Sequence, residues 1–511
     1  MSWKKEIKEI GIRKKASKAQ GGKEAVDLHH KKGRLTLRER IDIFLDKNTF
    51  EEIGELAGGV ENDKDGNFDS MTPANFILGF GKINNRQIIV GGEDFTVKGG
   101  SPNSAGLRKS VYTEELAIQY KVPLVRLHEG GGGSVAGPKS GSSADPVFTR
   151  SRFKSVADSL KEVPVASAAL GPVAGLPASR FVGSHFRVMT KKNSQILVAG
   201  PQVVSRAFGK EFTKEELGGS DIHKKNGVTD NVANSEEDAL DQIKTFLSYF
   251  PQNIYEIPPV IESNDLTSRT EEKLSSIIPK ERNKSYEMRD ILNLVFDKES
   301  FFEMTNFYGR GIITGFARLN GFSFGVFSND SNFYAGSMTA DNAKKTSRFV
   351  KLCDTFHLPI ITFVDEPGFL IGPEAEKEAT ILHGTEAVLA VNETSVPWAT
   401  VLVRKSFGVA AAAHFGNNPY VIAWPSSESG ALPLEGGVAV AFSKEIKNSK
   451  NPERKRKEIE DEMAKKQNPF SKAESFSVHE IIDPSETRKY LCSWIEKVQP
   501  QLKARILNKK T

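Results

Sequence analysis

"GGSPNSAGLRKSVYTEELAIQYKVPLVRLHEGGG", residues 99–132, runs as a helix-length segment up to Pro123, then a short apolar strand at Leu124–Leu127, an acidic residue, Glu129, and a string of glycines. Residues 335–368, "AGSMTADNAKKTSRFVKLCDTFHLPIITFVDEPG", lie against it without a gap. Gly100 meets Gly336, Lys109 meets Lys345, Pro123 meets Pro359 and Asp365 stands for Glu129, all 236 residues apart. In each copy a strand at Leu124–Leu127 or Ile360–Phe363 follows a crossover helix, a unit whose handedness is right-handed by rule. Written twice, it predicts two α/β domains of one design.

The repeat extends in both directions. Upstream, "FILGFGKINNRQIIV" (76–90) resembles "IITGFARLNGFSFGV" (312–326), Gly79 on Gly315, Phe80 on Phe316 and Asn84 on Asn320. Downstream, "VPVASAALGPVAGLPASRF" (163–181) faces "VPWATVLVRKSFGVAAAAHF" (396–415), and Gly175 falls on Gly408, 233 residues away. Residues 249–286, rich in proline and polar side chains, break the apolar periodicity and mark the boundary. This divides the chain into an N-terminal domain over 1–250, a linker region over 251–286 and a C-terminal domain over 287–511.

A chain of 511 residues accommodates two large α/β domains with ample cores. No run of 18 uncharged apolar residues occurs, so no membrane span is expected. The two cysteines, Cys353 and Cys492, are far apart and form no CxxC, which argues against a disulfide framework or a metal ribbon. Residues 1–40 hold 13 Lys or Arg against 5 Asp or Glu, within a net charge of +5 for the chain. The interspersed Glu6, Glu9 and Glu24 speak against a mitochondrial leader, and no motif or interleaved aromatics support nucleic-acid binding. That start reads as a solvated amphipathic helix, the charged run 444–467 as an exposed one, and the location as cytoplasmic.

The twin glycine turns carry the chemistry. A glycine between a strand and a helix lets a ligand approach the backbone, and the first N–H groups of a helix lack internal partners. The helix dipole adds roughly half a positive charge there. Gly175 with Leu176, and Gly408 with Val409, would each offer two N–H donors to a developing oxyanion. Pro177 suits the first helical turn. Close strand–helix packing explains either turn alone, but recurrence at matched positions favours a shared function.

Other motifs fare less well. "GGGGSVAGPKS" (130–140) has Pro138 where a phosphate loop needs lysine, and Gly131-x-Gly133-x-x-Ala136 is a weak dinucleotide fingerprint absent from the second copy. Ser134 lacks the second glycine of a nucleophile elbow, Ala136 standing there. His383 and His414 read as structural histidines. Paired oxyanion holes without a side-chain acid, base or nucleophile fit enolate chemistry in which another molecule moves the proton.

These residues resemble the carboxyltransferase (β) subunits of biotin-dependent acyl-CoA carboxylases, the propionyl-CoA and methylcrotonyl-CoA carboxylase type. The likeness runs through "HHKKGRLTLRERIDIFLD" (29–46), "GGEDFTVKGGS" (91–101), "GPVAGL" (171–176), "LVAGPQVV" (197–204) and "EELGGSDIHKKNGVTD" (215–230). It continues through "ITGFARLNG" (313–321), "TFVDEPGFLIG" (362–372), "RKSFG" (404–408) and "AWPSSESGALPLEGGVAVAF" (423–442). The resemblance implies two tandem crotonase-like domains, acyl-CoA on the N-terminal one and carboxybiotin on the C-terminal one, with each site shared between two subunits. It implies that Gly175 and Leu176 hold the thioester enolate oxygen and Gly408 and Val409 the ureido oxygen of biotin, the α proton passing to the biotin from which CO2 has left. Carboxyl transfer would then reach the α, or vinylogous γ, carbon.

On the same likeness Gly131, Gly132, Gly133, Ser134 and Ala412 would line the acyl-CoA site, and Gly368 and Phe369 the biotin site. Biotin would be carried on a partner subunit bearing the biotin carboxylase or carboxyl carrier, since the chain has no Ala-Met-Lys-Met. A homohexamer without metal or nucleic acid is implied. The chain departs from its relatives at 129–134, at Leu176 in place of a second glycine, and at Ala412, where short-chain enzymes carry an acyl-sizing aspartate. A bulkier acyl group, the reverse reaction in a decarboxylase, a CoA hydrolase or hydratase, and a non-catalytic acyl-CoA-binding protein are the alternatives.

Overall fold

Each half of the chain builds the same sheet. The computed structural model describes residues 2–131, 153–282, 284–466 and 470–510. In the first half β1 (Glu51–Glu52) precedes a separate ribbon of β2 (Gly58–Asn62) and β3 (Phe68–Pro73). Then come β4 (Phe76–Ile83), β5 (Arg86–Glu93), β6 (Leu124–Gly130), β7 (Val165–Ala174), β8 (Phe186–Thr190), β9 (Gln195–Leu197) and β10 (Asn231–Ala233). The order is β1-β4-β5-β6-β7-β8-β10, with β9 pairing β7.

The second half repeats it. Its strands are β11 (Phe302–Met304), β12 (Ile312–Leu319), β13 (Phe322–Asn329), β14 (Ile360–Glu366), β15 (Trp398–Phe407), β16 (Tyr420–Ala423), β17 (Glu428–Gly430) and β18 (Glu480–Ile481). The order β11-β12-β13-β14-β15-β16-β18, with β17 pairing β15, is that of the first sheet position for position. The repeat predicts this duplication, and the family resemblance implies its crotonase-like α/β form.

The local chemistry that sets these elements is also duplicated. Asn84 and Asn85 (φ 50° and 63°) close the β4–β5 hairpin, and Asn320 and Gly321 (φ 49° and 77°) close β12–β13. Two left-handed residues in a row match the twist of the flanking strands, and Asn and Gly tolerate them best. The crossover helices start at matched caps: Asn103 accepts the Gly106 N–H at 2.7 Å and Thr339 the Asn342 N–H at 3.1 Å. They are left through matched left-handed residues, Lys121 (φ 54°) and His357 (φ 61°), two positions before Pro123 and Pro359. The parallel strands β6, β7, β14 and β15 are buried almost end to end, which accounts for their unbroken apolar runs.

The chain separates into two compact units, Met1–Ile254 and Tyr255–Thr511. The proline-rich stretch read as a linker is largely part of the second unit. Val260 bridges to Phe322, Leu274 and Tyr286 enter the core, and the Tyr286 hydroxyl donates to Asp365 at 3.0 Å. The basic start forms the largely exposed helix Lys4–Lys18, and the charged run forms Ser443–Lys447 and Pro452–Lys466. No described helix is long and apolar enough to cross a membrane.

One difference from the sequence reading bears on the site. The alanine run after Gly408 makes a short 3-10 turn, Ala410–His414, and Phe415 is already extended (φ −122°, ψ 103°). The His414 carbonyl accepts from Thr362 Oγ1 (3.0 Å), Thr400 Oγ1 (2.9 Å) and Trp398 Nε1 (3.0 Å), so it is not available to continue a helix. The twin turn does open an α-helix, Leu176–Val182.

The matched lysines bury their ammonium groups against backbone carbonyls: Lys109 on Gly54 (3.2 Å), Lys345 on Ile312 (2.6 Å) and Thr305 (2.8 Å). Burial lowers the Lys109 pKa from 10.5 to about 8, with Glu52 opposing. Between those values the unfolded chain holds a proton that the folded chain has released, so stability rises with pH there, by roughly 3 kcal/mol. Below about pH 8 the full cost of burying the ammonium is present. Chemical denaturation across that range is expected to show this rise in the wild type and to lose it in Lys109→Met; parallel pH profiles would contradict it.

Candidate active site

In each unit the candidate turn follows a break in register of the central strands. In the first unit His128 pairs with Ala169 but Gly130 with Val173; in the second Val364 pairs with Leu402 but Glu366 with Ser406. Two extra residues on β7 and on β15 thus bulge past their neighbours, and each strand ends in its glycine turn two residues later. Gly175 sits at φ 67°, ψ −131° and Gly408 at φ 64°. Both values strain any residue with a Cβ.

At the first turn Leu176 opens the helix with Pro177 behind it. Neither Gly175 nor Leu176 has a backbone acceptor for its N–H among the described residues, and both are half-buried. At the second turn the outcome is asymmetric. The Gly408 N–H donates to the Gly430 carbonyl at 3.1 Å, closing the turn onto β17, so it is not an oxyanion donor here. Val409 (φ −68°, ψ −33°) keeps the N–H without an acceptor among the described residues, and the residue is 64% exposed. The sequence reading of two donors at this turn is therefore corrected to one.

The other anticipated residues gather by unit. Gly131 leaves β6 just after Gly130, beside the Gly175 turn, its N–H donating to Gly99 at 3.3 Å. Gly132, Gly133 and Ser134 lie outside the described residues. In the second unit Gly368 (φ 126°) approaches the other turn: a Cβ there would meet only the Phe407 carbonyl, at 3.9 Å. Phe369 lies next to it and packs its ring over Gly384, while its backbone bridges to Met338. Ala412 is half-buried and three residues beyond Val409, and its N–H donates to the Val409 carbonyl at 3.0 Å. In a 3-10 turn residues three apart eclipse, which puts the Ala412 methyl on the Val409 face.

Two buried charge systems underlie these turns, and the sequence reading did not find them. Glu129, at the bulge, pairs with Arg40 (2.7 Å), Arg34 (3.0 Å) and His29 (3.4 Å), and a Cβ on Gly171 would overlap its carboxylate. Burial alone would raise its pKa, but Arg40, then His29 and Arg34, hold it below the ordinary value. The carboxylate is engaged by these three cationic side chains. Arg40 and Glu129 both come from stretches quoted above, but their pairing joins distant segments that spacing does not connect.

In the second unit Glu366 is fully buried and burial raises its pKa, opposed by His414. Its Oε1 accepts the Gly368 N–H at 3.0 Å. Its Oε2 accepts Asn329 Nδ2 at 3.1 Å and lies 3.3 Å from His414 Nε2. His414 stacks on Phe327 at 4.6 Å, a buried structural histidine, whereas His383 reaches Glu386 at 2.9 Å near the surface.

Residues 28–510 match the carboxyl transferase domain family. The chain is 32% identical to the propionyl-CoA carboxylase carboxyltransferase subunit of Haloferax mediterranei over 99% of this chain and 98% of that one. It is 31% identical to methylmalonyl-CoA decarboxylase subunit alpha of Veillonella parvula, covering 92% and 91% of the two chains. Among solved structures, the transcarboxylase 12S hexamer core with methylmalonyl-CoA and methylmalonic acid bound superposes with a TM-score of 0.87 at 28% identity, over 98% of this chain and 96% of that one.

Proposed function

Since the chain belongs to the carboxyl transferase family and is a carboxyltransferase of the acyl-CoA carboxylase type, we propose that its two glycine turns divide the reaction between them. Gly175 and Leu176 hold the thioester oxygen of an acyl-CoA as it becomes an enolate; Val409, on the turn shaped by Gly408, holds the ureido oxygen of biotin. The observation that carries this reading is the N–H of Leu176 and of Val409, each without an acceptor among the described residues, at matched left-handed glycines. Donors fixed before the reaction stabilise developing charge without reorganising.

Carboxybiotin, bound to a separate carrier subunit, supplies the carboxyl group and accepts the α proton. The open space at Gly408 and Gly368, where a Cβ would touch nothing closer than 3.4 Å, is consistent with a flat ring lying against the backbone there. Phe369 and Gly368 form one wall. Gly131 flanks the acyl-CoA turn, with Gly132, Gly133 and Ser134 following it in the chain. A homohexamer is the proposed assembly, supported by the hexameric transcarboxylase core that the chain resembles.

A carboxyl-exchange assay with free biotin and a panel of acyl-CoAs, run in both directions, tests the reading. Transfer to at least one acyl-CoA is the expected result; saturable CoA-ester binding with no exchange would favour a binding protein and overturn it.

Acyl size is set near Ala412. Ala412→Asp is expected to shift relative kcat/KM toward short acyl-CoAs, at roughly 1 to 3 kcal/mol per methylene excluded. An unchanged ranking across the panel would place the acyl chain elsewhere.

A further inference from the structure

Glu366 does more than fill the core. Its carboxylate joins three segments of the second unit: the Gly368 turn through Oε1, the end of β13 through Asn329, and the turn that begins at Val409 through His414. Asn329 is itself fixed, its Nδ2 donating to the Gly336 carbonyl at 3.0 Å and its Oδ1 accepting the Asp365 N–H at 3.0 Å. The far end of the Val409 turn is pinned to the sheet through the His414 carbonyl, as described above. The ring of the same residue is gripped by Glu366 and Phe327.

The first unit shows what the fold by itself requires. At the position of Glu366 it has Gly130, and at that of His414 it has Phe181, fully buried. It makes the same bulge and an equivalent glycine turn with those residues. A buried glutamate–histidine pair exists there too, Glu93 with His128 at 3.0 Å, but its members lie on β5 and β6 at the positions of Asn329 and Val364. In the second unit the pair stands instead at the end of β14 and at the end of the Val409 turn. Burying such a pair is costly, and the first unit places none at these two positions, so its placement calls for a reason other than stability.

We propose that Glu366 is a positioning residue for the biotin half of the reaction: through Gly368 and His414 it sets the distance between the Gly368 wall and the Val409 donor. This rests on the proposed assignment of that turn to biotin. The residue touches no reacting atom. It acts by tying two backbone segments directly through one carboxylate, in addition to the sheet and the helix Thr380–Asn392 that also link them, and a displacement near one ångström at such a site is enough to lose about 10²-fold in rate.

The test uses the full-length protein, methylmalonyl-CoA as carboxyl donor and free biotin as acceptor, with both KM values and kcat measured. For Glu366→Ala, KM for biotin is expected to rise or kcat to fall on the order of 10-fold to 10²-fold. KM for methylmalonyl-CoA should stay within about twofold, since uniform loss of a folded population would lower kcat alone. Glu366→Gln, which keeps an acceptor for the Gly368 N–H, should recover most of the loss. His414→Phe carries the residue found in the twin and should move the biotin parameters in the same direction, which keeps the test decisive if Glu366→Ala does not fold. An active wild type with biotin parameters unchanged in His414→Phe, and in Glu366→Ala where that variant folds, overturns this proposal alone. A wild type that moves no carboxyl group from any donor to biotin overturns the assignment beneath it as well.

Discussion

Val409→Pro is expected to lower carboxyl transfer to and from biotin by about 10²- to 10³-fold, or some 2.7 to 4 kcal/mol, the usual loss for one oxyanion donor. The substitution is unusually clean. Val409 already has φ −68°, the value that proline imposes, and its N–H bonds to no described acceptor. The preceding residue is Gly408, which tolerates the restriction that proline places on its neighbour. Because Gly408 gives its own N–H to Gly430, no second donor at this turn compensates. Acyl-CoA binding, measured by calorimetry, should barely change, because it depends on the Gly175 turn. Val409→Gly keeps the N–H and should be far milder. Equal harm from proline and glycine with the fold intact would mean that the side chain was what mattered.

Arg40→Leu should destabilise the first unit by about 3 to 5 kcal/mol, the range for removing one member of a buried ionic cluster. Arg40 is 1% exposed and leaves almost no donor idle. Nε and Nη2 hold Glu236 at 2.6 and 2.9 Å, Nη2 also reaches the Leu170 carbonyl at 3.2 Å, and Nη1 holds Glu129. Removal leaves Glu236 buried with a negative charge and Glu129 with only Arg34 and His29. Arg40→Lys should restore little, since one ammonium cannot span two carboxylates in a planar fork. Urea denaturation is the measurement; a loss under about 1 kcal/mol would show that the carboxylates find other partners. Because Leu170 lies inside the bulge, the variant should also loosen the Gly175 turn and weaken acyl-CoA binding.

What could be read from the sequence was whatever repeats at a fixed spacing. Asn84 on Asn320, Pro123 on Pro359 and Gly175 on Gly408 each reflect a local backbone need, a hairpin, a strand entry or a left-handed turn, and such needs are written in a few adjacent residues. The alanines at 410–413 misled because their helix propensity is local, while the capture of the His414 carbonyl by Thr362, Thr400 and Trp398 is tertiary. Gly408 misled similarly: the strand that takes its N–H lies more than twenty residues on. Arg40 with Glu236, and Glu366 with His414, are pairs that only the folded sheet brings together. Glu366 stood in plain view in "VDEPG", yet nothing around it says that its carboxylate turns inward.

The slip of register at the bulge has a consequence for how these turns can vary. Between the paired positions β6 spends two residues where β7 spends four, and β14 and β15 do the same. Strand side chains alternate between faces, so an even surplus preserves parity beyond the insertion. An odd surplus would turn every later side chain inside out. The reach of the strand ends is therefore adjustable in steps of two residues, and a homologue that extends or retracts its glycine turn should differ from this chain there by an even number.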